Sequence, residues 1–159
     1  MGISDKTTAW LAQFPDREQK ITALTIWREN RGGLKPGMQS VANAIANRVK
    51  RRNSSFFIEC TRPWQFTSIT VAADPEYDLL PQGSESSWAI AMSVADLAVS
   101  GVLPDITNGS TVYYNPNGIQ SHASIELPGV GVVKFPASWN PAALVFKAEI
   151  AKHLFFVER

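Results

Sequence analysis

Residues 16–50 read DREQKITALTIWRENRGGLKPGMQSVANAIANRVK, and the organisation of the chain follows from them. Asp16 is a helix-capping residue with Gln19 three positions on, the spacing of a capping box, and Ile21, Leu24 and Ile26 give the next turns an apolar side through Trp27. Arg31-Gly32-Gly33 stops this helix. A second helix is expected after Pro36 and Gly37, from about Met38 to Lys50, where Val41, Ala44, Ile45 and Val49 recur at helical spacing. The two are expected to pack as a helical pair, and the first carries a glutamate, Glu29, in its last turn.

Working outward, residues 53–81 mix Pro, Ser, Thr and aromatics without a period, which predicts loops with short helical turns. Ser84-Glu85-Ser86 opens a third helix through Trp88, Ala91, Met92, Ala95, Leu97 and Ala98 to Gly101, whose small and apolar residues suit a buried central helix. Beyond Thr107 the texture changes to β-branched and aromatic residues at 110–114, between the turn signals Asn108-Gly109 and Asn115-Pro116-Asn117-Gly118. Residues 125–135, with Pro128-Gly129 and Gly131, predict a hairpin, and 141–156 reads as a return to helix. The fold class expected is α+β, mostly helical with a small β-hairpin region, in one domain spanning 1–159, of which 1–15 is an N-terminal extension and 16–156 the core.

Bulk properties narrow the partners. With 15 basic and 14 acidic residues the net charge is +1, so no global field favours nucleic acid. The basic run Arg48, Lys50, Arg51 and Arg52 fits a solvated helix end that complements the dipole. Cys60 is the lone cysteine; no disulfide framework and no Cys-based zinc site can form, and a buried structural thiol is expected. No metal and no cofactor is expected. No apolar run reaches the ~20 residues of a membrane-spanning helix. The polar segment Met1 to Trp10 does not have the pattern of a secretory signal peptide, so synthesis in the cytoplasm is expected, with no stable membrane insertion.

Glu29 is the residue whose setting suggests chemistry. Unsatisfied carbonyls at a helix C-terminus disfavour a carboxylate, and Thr25 and Ile26 place it at the margin of the apolar side; both raise its pKa toward that of a general acid. A surface glutamate paired with Arg28 or Arg31 fits the same spacing.

A resemblance adds to this. Trp27-Arg28-Glu29-Asn30-Arg31-Gly32-Gly33, then Gly37, Val41, Ala44-Ile45 and Asn47-Arg48-Val49, resembles the opening signature of the SleB-type cell wall hydrolases, the spore cortex-lytic enzyme family. Gln65-Phe66-Thr67, the segment from Asp105 to Pro116 with Tyr113-Tyr114-Asn115, Trp139, and the ending 150–156 with His153 resemble later segments of that family in the same order, over residues 20 to 156. The chain departs from the pattern at Asn30, where Ala is usual, and at Gly33, where a second Glu is usual.

The resemblance implies a lysozyme-like α+β fold and cleavage of peptidoglycan glycan strands between N-acetylmuramic acid and N-acetylglucosamine, with Glu29 as acid/base. Glycosidases that use two carboxylates hold them roughly 5 Å or 6.5 to 9.5 Å apart. Glu59 is the nearest second candidate by order, though it sits in a loop beside Cys60 and reads equally as a surface residue. With one acid, the lytic transglycosylase route is favoured over hydrolysis, the sugar's own 6-hydroxyl closing a 1,6-anhydro ring. Gln65 and Thr67 are candidates for hydrogen bonds to substrate, Trp64 for stacking on a sugar, and Tyr113, Tyr114 and Asn115 for the cleft wall. Their alternative is that Phe66 and one tyrosine are core while the polar residues cap turns. His153 fits a structural role, Trp27, Trp88 and Trp139 fit core or cleft wall, and His122 has no evident partner. The expected setting is a monomeric phage endolysin that a holin-type membrane-permeabilising partner lets through to the wall. Two rivals remain open: a non-catalytic wall-binding or virion structural protein on the same fold, and an amide-cleaving wall enzyme.

Overall fold

The computed structural model describes residues 1–119 and 123–159. His122 therefore lies outside the described residues. Six α-helices, α1 (Asp5–Leu11), α2 (Arg17–Asn30), α3 (Leu34–Arg52), α4 (Phe56–Thr61), α5 (Thr67–Thr70) and α6 (Ser86–Val99), precede five strands: β1 (Val112–Tyr114), β2 (Ser124–Leu127), β3 (Gly131–Lys134), β4 (Leu144–Ile150) and β5 (His153–Glu158). The architecture is mixed helix and sheet. Among the described residues no helix is long and apolar enough to cross a membrane.

α2 begins where the sequence places it, with the Asp16 side chain accepting from Gln19 N–H at 3.0 Å. The reciprocal half of a capping box is not made: Gln19 Nε2 turns instead to the Met92 carbonyl of α6. α2 is the central helix. Ile21, Ala23, Leu24, Ile26 and Trp27 are buried on several faces, and Thr22 and Thr25 tolerate the same interior because their hydroxyls donate to Glu18 O and Ile21 O one turn back. That displaces the expectation that α6 is central; α6 buries Trp88, Ala91, Val94, Ala95 and Ala98 on one side and leaves Ala89, Ser93 and Asp96 exposed. The elbow after Asn30 is a single 3-10 turn, Arg31–Gly33, and α3 starts four residues earlier than the apolar period indicates.

Residues 1–15 are not a loose extension. Ser4 caps α1, Leu11 is buried in the helical core, and Tyr77 donates to the Gly2 carbonyl. Loop residues 53–81 contain the short helices α4 and α5, as expected for that texture.

The C-terminal third departs most from the sequence reading. Residues 144–158 form an antiparallel hairpin in place of a helix, with Ile150 opposite His153, and β5 is the central strand of a sheet ordered β1-β5-β4. Tyr113 lies opposite Phe155 and Tyr114 opposite Leu154. The expected hairpin at 125–135 is present as the separate pair β2-β3, turning through Gly129 at φ 80°.

Two apolar clusters result. One fills the space among the helices; the other gathers Tyr114, Leu127, Leu154 and Phe156 from the strands with Phe135 just beyond β3. The second half of α3 joins them, and here the expectation of a solvated basic face fails for Arg48, which is 2% exposed and donates through Nε to the Thr111 carbonyl. Asn47 reaches Ser110 O, and Arg51 reaches Glu158 O.

The elbow shows why its residues are small. A Cβ on Gly33 would lie 2.6 Å from Asn30 Oδ1 and 3.1 Å from the Ala151 Cβ; one on Gly37 would lie 2.8 Å from Asn30 Nδ2. We expect Gly37→Ala to destabilise the protein by about 1–2 kcal/mol in urea unfolding, although alanine is the better helix former. In an Asn30→Ala background the same change should become neutral or stabilising, and additivity in the double-mutant cycle would refute the crowding.

Candidate functional site

Where the two clusters meet, a cavity of about 340 Å³ opens, lined from α2 by Glu29, from α3 by Arg48, from the loop ahead of α5 by Trp64, Gln65 and Phe66, and from β1 and its turn by Tyr113, Tyr114 and Asn115. Thr67, Val112, Trp139 and His153 complete the wall. All seven site residues expected from the sequence are brought together here. Glu59 is not among them.

Glu29 is partly exposed as a residue, through the cavity, while protein surrounds its carboxyl group. Burial raises its pKa, and Asp74 pushes the same way. Two hydroxyls oppose that shift, each on a different oxygen: Ser68 Oγ donates to Oε1 at 2.6 Å and Tyr113 Oη to Oε2 at 3.1 Å. Arg48 adds a weaker opposing charge. The alternative pairing with Arg28 or Arg31 is absent. Arg28 is buried and donates to Leu79 O, Ser68 O and Thr7 Oγ1, burial lowering its pKa to about 10; Arg31 forks onto Glu76 at 2.6 and 3.1 Å. Arg28 thus fixes the backbone of the serine whose hydroxyl meets the neighbouring glutamate.

The supporting residues divide by what their polar atoms already do. Arg48 faces Gln65, whose amide must present its oxygen to a group that has only donors; in that orientation it accepts from Nη1 and Nη2 at 3.1 and 3.2 Å. Gln65 can offer a ligand its NH2 group. Thr67 donates to Asp74 Oδ2 at 2.6 Å and is left as an acceptor. Tyr113 and Tyr114 are successive strand residues and face opposite ways: Tyr113 stacks on Phe155 and reaches Glu29, while Tyr114 packs on Phe135, Trp139 and Phe156 and gives its hydroxyl to Lys134 O. Burial drives the Tyr113 phenol well above its ordinary pKa, with the Glu29 charge adding to this, so it stays a donor. Tyr114 contributes a ring edge, and Asn115 spends its oxygen on Asn117 N–H. Phe66 and Tyr114 are core-like, as the alternative reading had it.

Trp64 is different. It is 68% exposed on a backbone with φ 62°, a conformation that costs a non-glycine residue about 1–2 kcal/mol, which sets a large apolar ring at the cavity rim. His153 is half-buried beside Tyr113; its Nδ1 lies 3.0 Å from the Ala151 carbonyl, which can only accept, so that nitrogen carries the proton. Burial lowers its pKa.

Sequence reasoning missed Ser68 and Arg48. Ser68 sat unremarked beside the flagged Thr67, and Arg48 was masked by its basic neighbours. Glu59 fits neither of its two readings: it lies within α4 and not in a loop, outside the cavity and fully buried, and takes Arg52, Arg62 and Ser54 on its two oxygens. Burial pushes its carboxyl up, but these partners outweigh that and hold it below its ordinary pKa. Cys60 is buried as expected, its thiol pushed up to about 12 by burial, so it offers no thiolate. Among the described residues no three His, Cys, Asp or Glu side chains gather as a metal-binding group.

No protein-family model matches the chain, and neither the curated proteins nor the solved structures yield a match.

Because the folded protein holds the Glu29 proton more tightly than the unfolded chain, stability declines as pH rises from the ordinary carboxylate value of 4.5 through the raised folded value. Glu29→Gln removes this slope. In thermal melts its Tm should exceed that of the native protein by at least about 2 °C near pH 8 and converge with it near pH 4. A variant less stable at the higher pH would contradict a desolvated carboxyl.

Proposed function

We propose that the chain cleaves the glycan strand of peptidoglycan as a lytic transglycosylase, on a lysozyme-like arrangement of helices beside small sheets. The observation that carries this reading is convergence: the separate segments that resemble SleB-type hydrolases, at 27–33, 65–67, 113–116, 139 and 153, contribute side chains to one cavity around Glu29 or to its border. Chain order alone does not require that. The two departures from the family pattern are also neighbours in space, since the Asn30 side chain occupies the volume into which a side chain at Gly33 would project.

The chemistry suits one acid. Glu29 is the carboxylate among the described lining residues, and Glu59 is committed elsewhere to Arg52 and Arg62. Protonated Glu29 gives its proton to the glycosidic oxygen as the C1–O bond breaks. The resulting carboxylate then takes the proton of the muramic 6-hydroxyl as that oxygen bonds to C1, closing the anhydro ring and restoring the acid. Ser68 and Tyr113 keep the intermediate carboxylate from being stranded in a dry site, because each of its oxygens already accepts a hydrogen bond. Trp64 and the Gln65 amide are placed to hold a sugar by stacking and hydrogen bonding.

Mass spectrometry of soluble fragments from purified peptidoglycan tests the reading. Products ending in 1,6-anhydro-muramic acid are expected, and Glu29→Gln should lower their release by about a thousandfold with the fold intact. Reducing muramic ends would replace the transglycosylase with a hydrolase. No glycan cleavage, or full activity in the variant, would remove the assignment.

A further inference from the structure

The cleft does not end at Glu29. A second cavity, of about 500 Å³, shares Asn115 and His153 with the first and runs between the α2–α3 elbow, at Asn30 and Leu34, and the β4–β5 turn, at Ala151 and Lys152.

Its two walls hold several of the most strained backbones in the chain. Ala151 and Lys152 form a two-residue hairpin loop with φ 48° and 67°, the geometry that Asn-Gly adopts readily and other residues adopt at a cost. Leu34 stands opposite with φ 55° and ψ −153°, a region otherwise nearly confined to glycine, and its side chain is 65% exposed. Strain of this kind persists where the surrounding structure holds it, and it is concentrated on either side of one groove.

The electrostatics of the groove are one-sided. Lys152 lines it, no carboxylate does among its described residues, and Lys152 makes no ion pair among the described residues. Asn115, its oxygen engaged by Asn117 N–H, has its NH2 to donate. Where the first cavity presents a carboxyl to a neutral sugar, the second presents a cation and an amide donor.

We infer that this second cavity is a carboxylate-binding subsite, in which Lys152 holds an acidic substituent of the strand whose backbone lies at Glu29. The inference rests on the glycan reading of the first cavity. The carboxylate can come from a stem peptide or from the lactyl group of a muramic acid without its stem. In either case the subsite selects carboxylated strands over uncharged ones and sets which sugar is centred on the acid.

Binding measured in the Glu29→Gln protein, which leaves ligands intact, separates the possibilities. Three soluble probes are titrated: strand fragments with stem peptides, the same fragments after amidase removal of the stems, and chitin oligosaccharides of equal length. Lys152→Gln keeps most of the side-chain reach, one atom short of lysine, and the left-handed backbone requirement while removing the charge. It should weaken binding of at least one of the two carboxylated probes roughly three- to fivefold and chitin binding by less than twofold, with Lys152→Arg restoring affinity and the difference shrinking in high salt. Loss confined to stem-bearing fragments assigns the stem carboxylates; loss confined to stem-free strands assigns the lactyl group, whose carboxylate is free only there; and loss on both, with chitin unaffected, shows that the subsite takes either. If all three probes bind and Lys152→Gln changes none of them, or weakens all equally, the subsite is overturned while the glycan reading stands. If none binds, the glycan reading fails and the subsite with it.

Discussion

A guanidinium buried without a carboxylate is the constraint on which the rest of the structure depends. Arg48 pairs with no acid among the described residues, yet it is almost wholly removed from water, and burial lowers its pKa. A charge in that position is tolerated only if its donors are used, and they are used on two separate parts of the chain. Nε fixes Thr111 just before β1, the two terminal nitrogens fix Gln65 ahead of α5, and the planar group lies 5.3 Å from the Phe66 ring. One side chain on α3 therefore sets the loop and the strand that face Glu29. Replacing it would disturb the cleft before it disturbed either core.

Legibility in the sequence followed the range of the interactions. α2, α3 and α6 are encoded by local period, with a side-chain N-cap on α2 alone of the three, and each was recognisable to within a few residues. The strand at 112–114 and the hairpin at 124–134 were signalled by Asn-Gly and Pro-Gly turns. The β4–β5 hairpin was not, because Ala151-Lys152 carries none of the residues that announce a turn with positive φ, and because β5 is covered on both faces. A strand buried on both sides reads as the unbroken run Leu154-Phe155-Phe156-Val157, which periodicity alone cannot tell from a helix.

That the candidate residues would lie together was more legible than the fold that gathers them. Glu29, Trp64, Gln65, Thr67, Tyr113, Tyr114 and Asn115 were identifiable as residues, but what each does with its polar atoms was not. Ser68 illustrates the gap: its role depends on Arg28 holding its carbonyl from forty positions away. Glu59 illustrates the reverse, since a glutamate beside a cysteine, in a stretch without a helical period, gave no hint of the two arginines that enclose it in α4. Local patterns identify elements and candidate side chains. Partnerships across the chain decide their state.

The boundary between helices and sheet has a thermodynamic character of its own. The contacts across it described above are hydrogen bonds, from Asn47, Arg48 and Arg51 of α3 to the strand side and from Tyr113 of β1 to Glu29 of α2. Parting the two halves by a small amount exposes little apolar surface compared with dismantling either cluster, so that motion carries a small heat-capacity change and a shallow dependence on denaturant. Widening of the cleft and global unfolding are thereby separable processes in one small protein, the first responsive to ionic strength and the second to urea and heat.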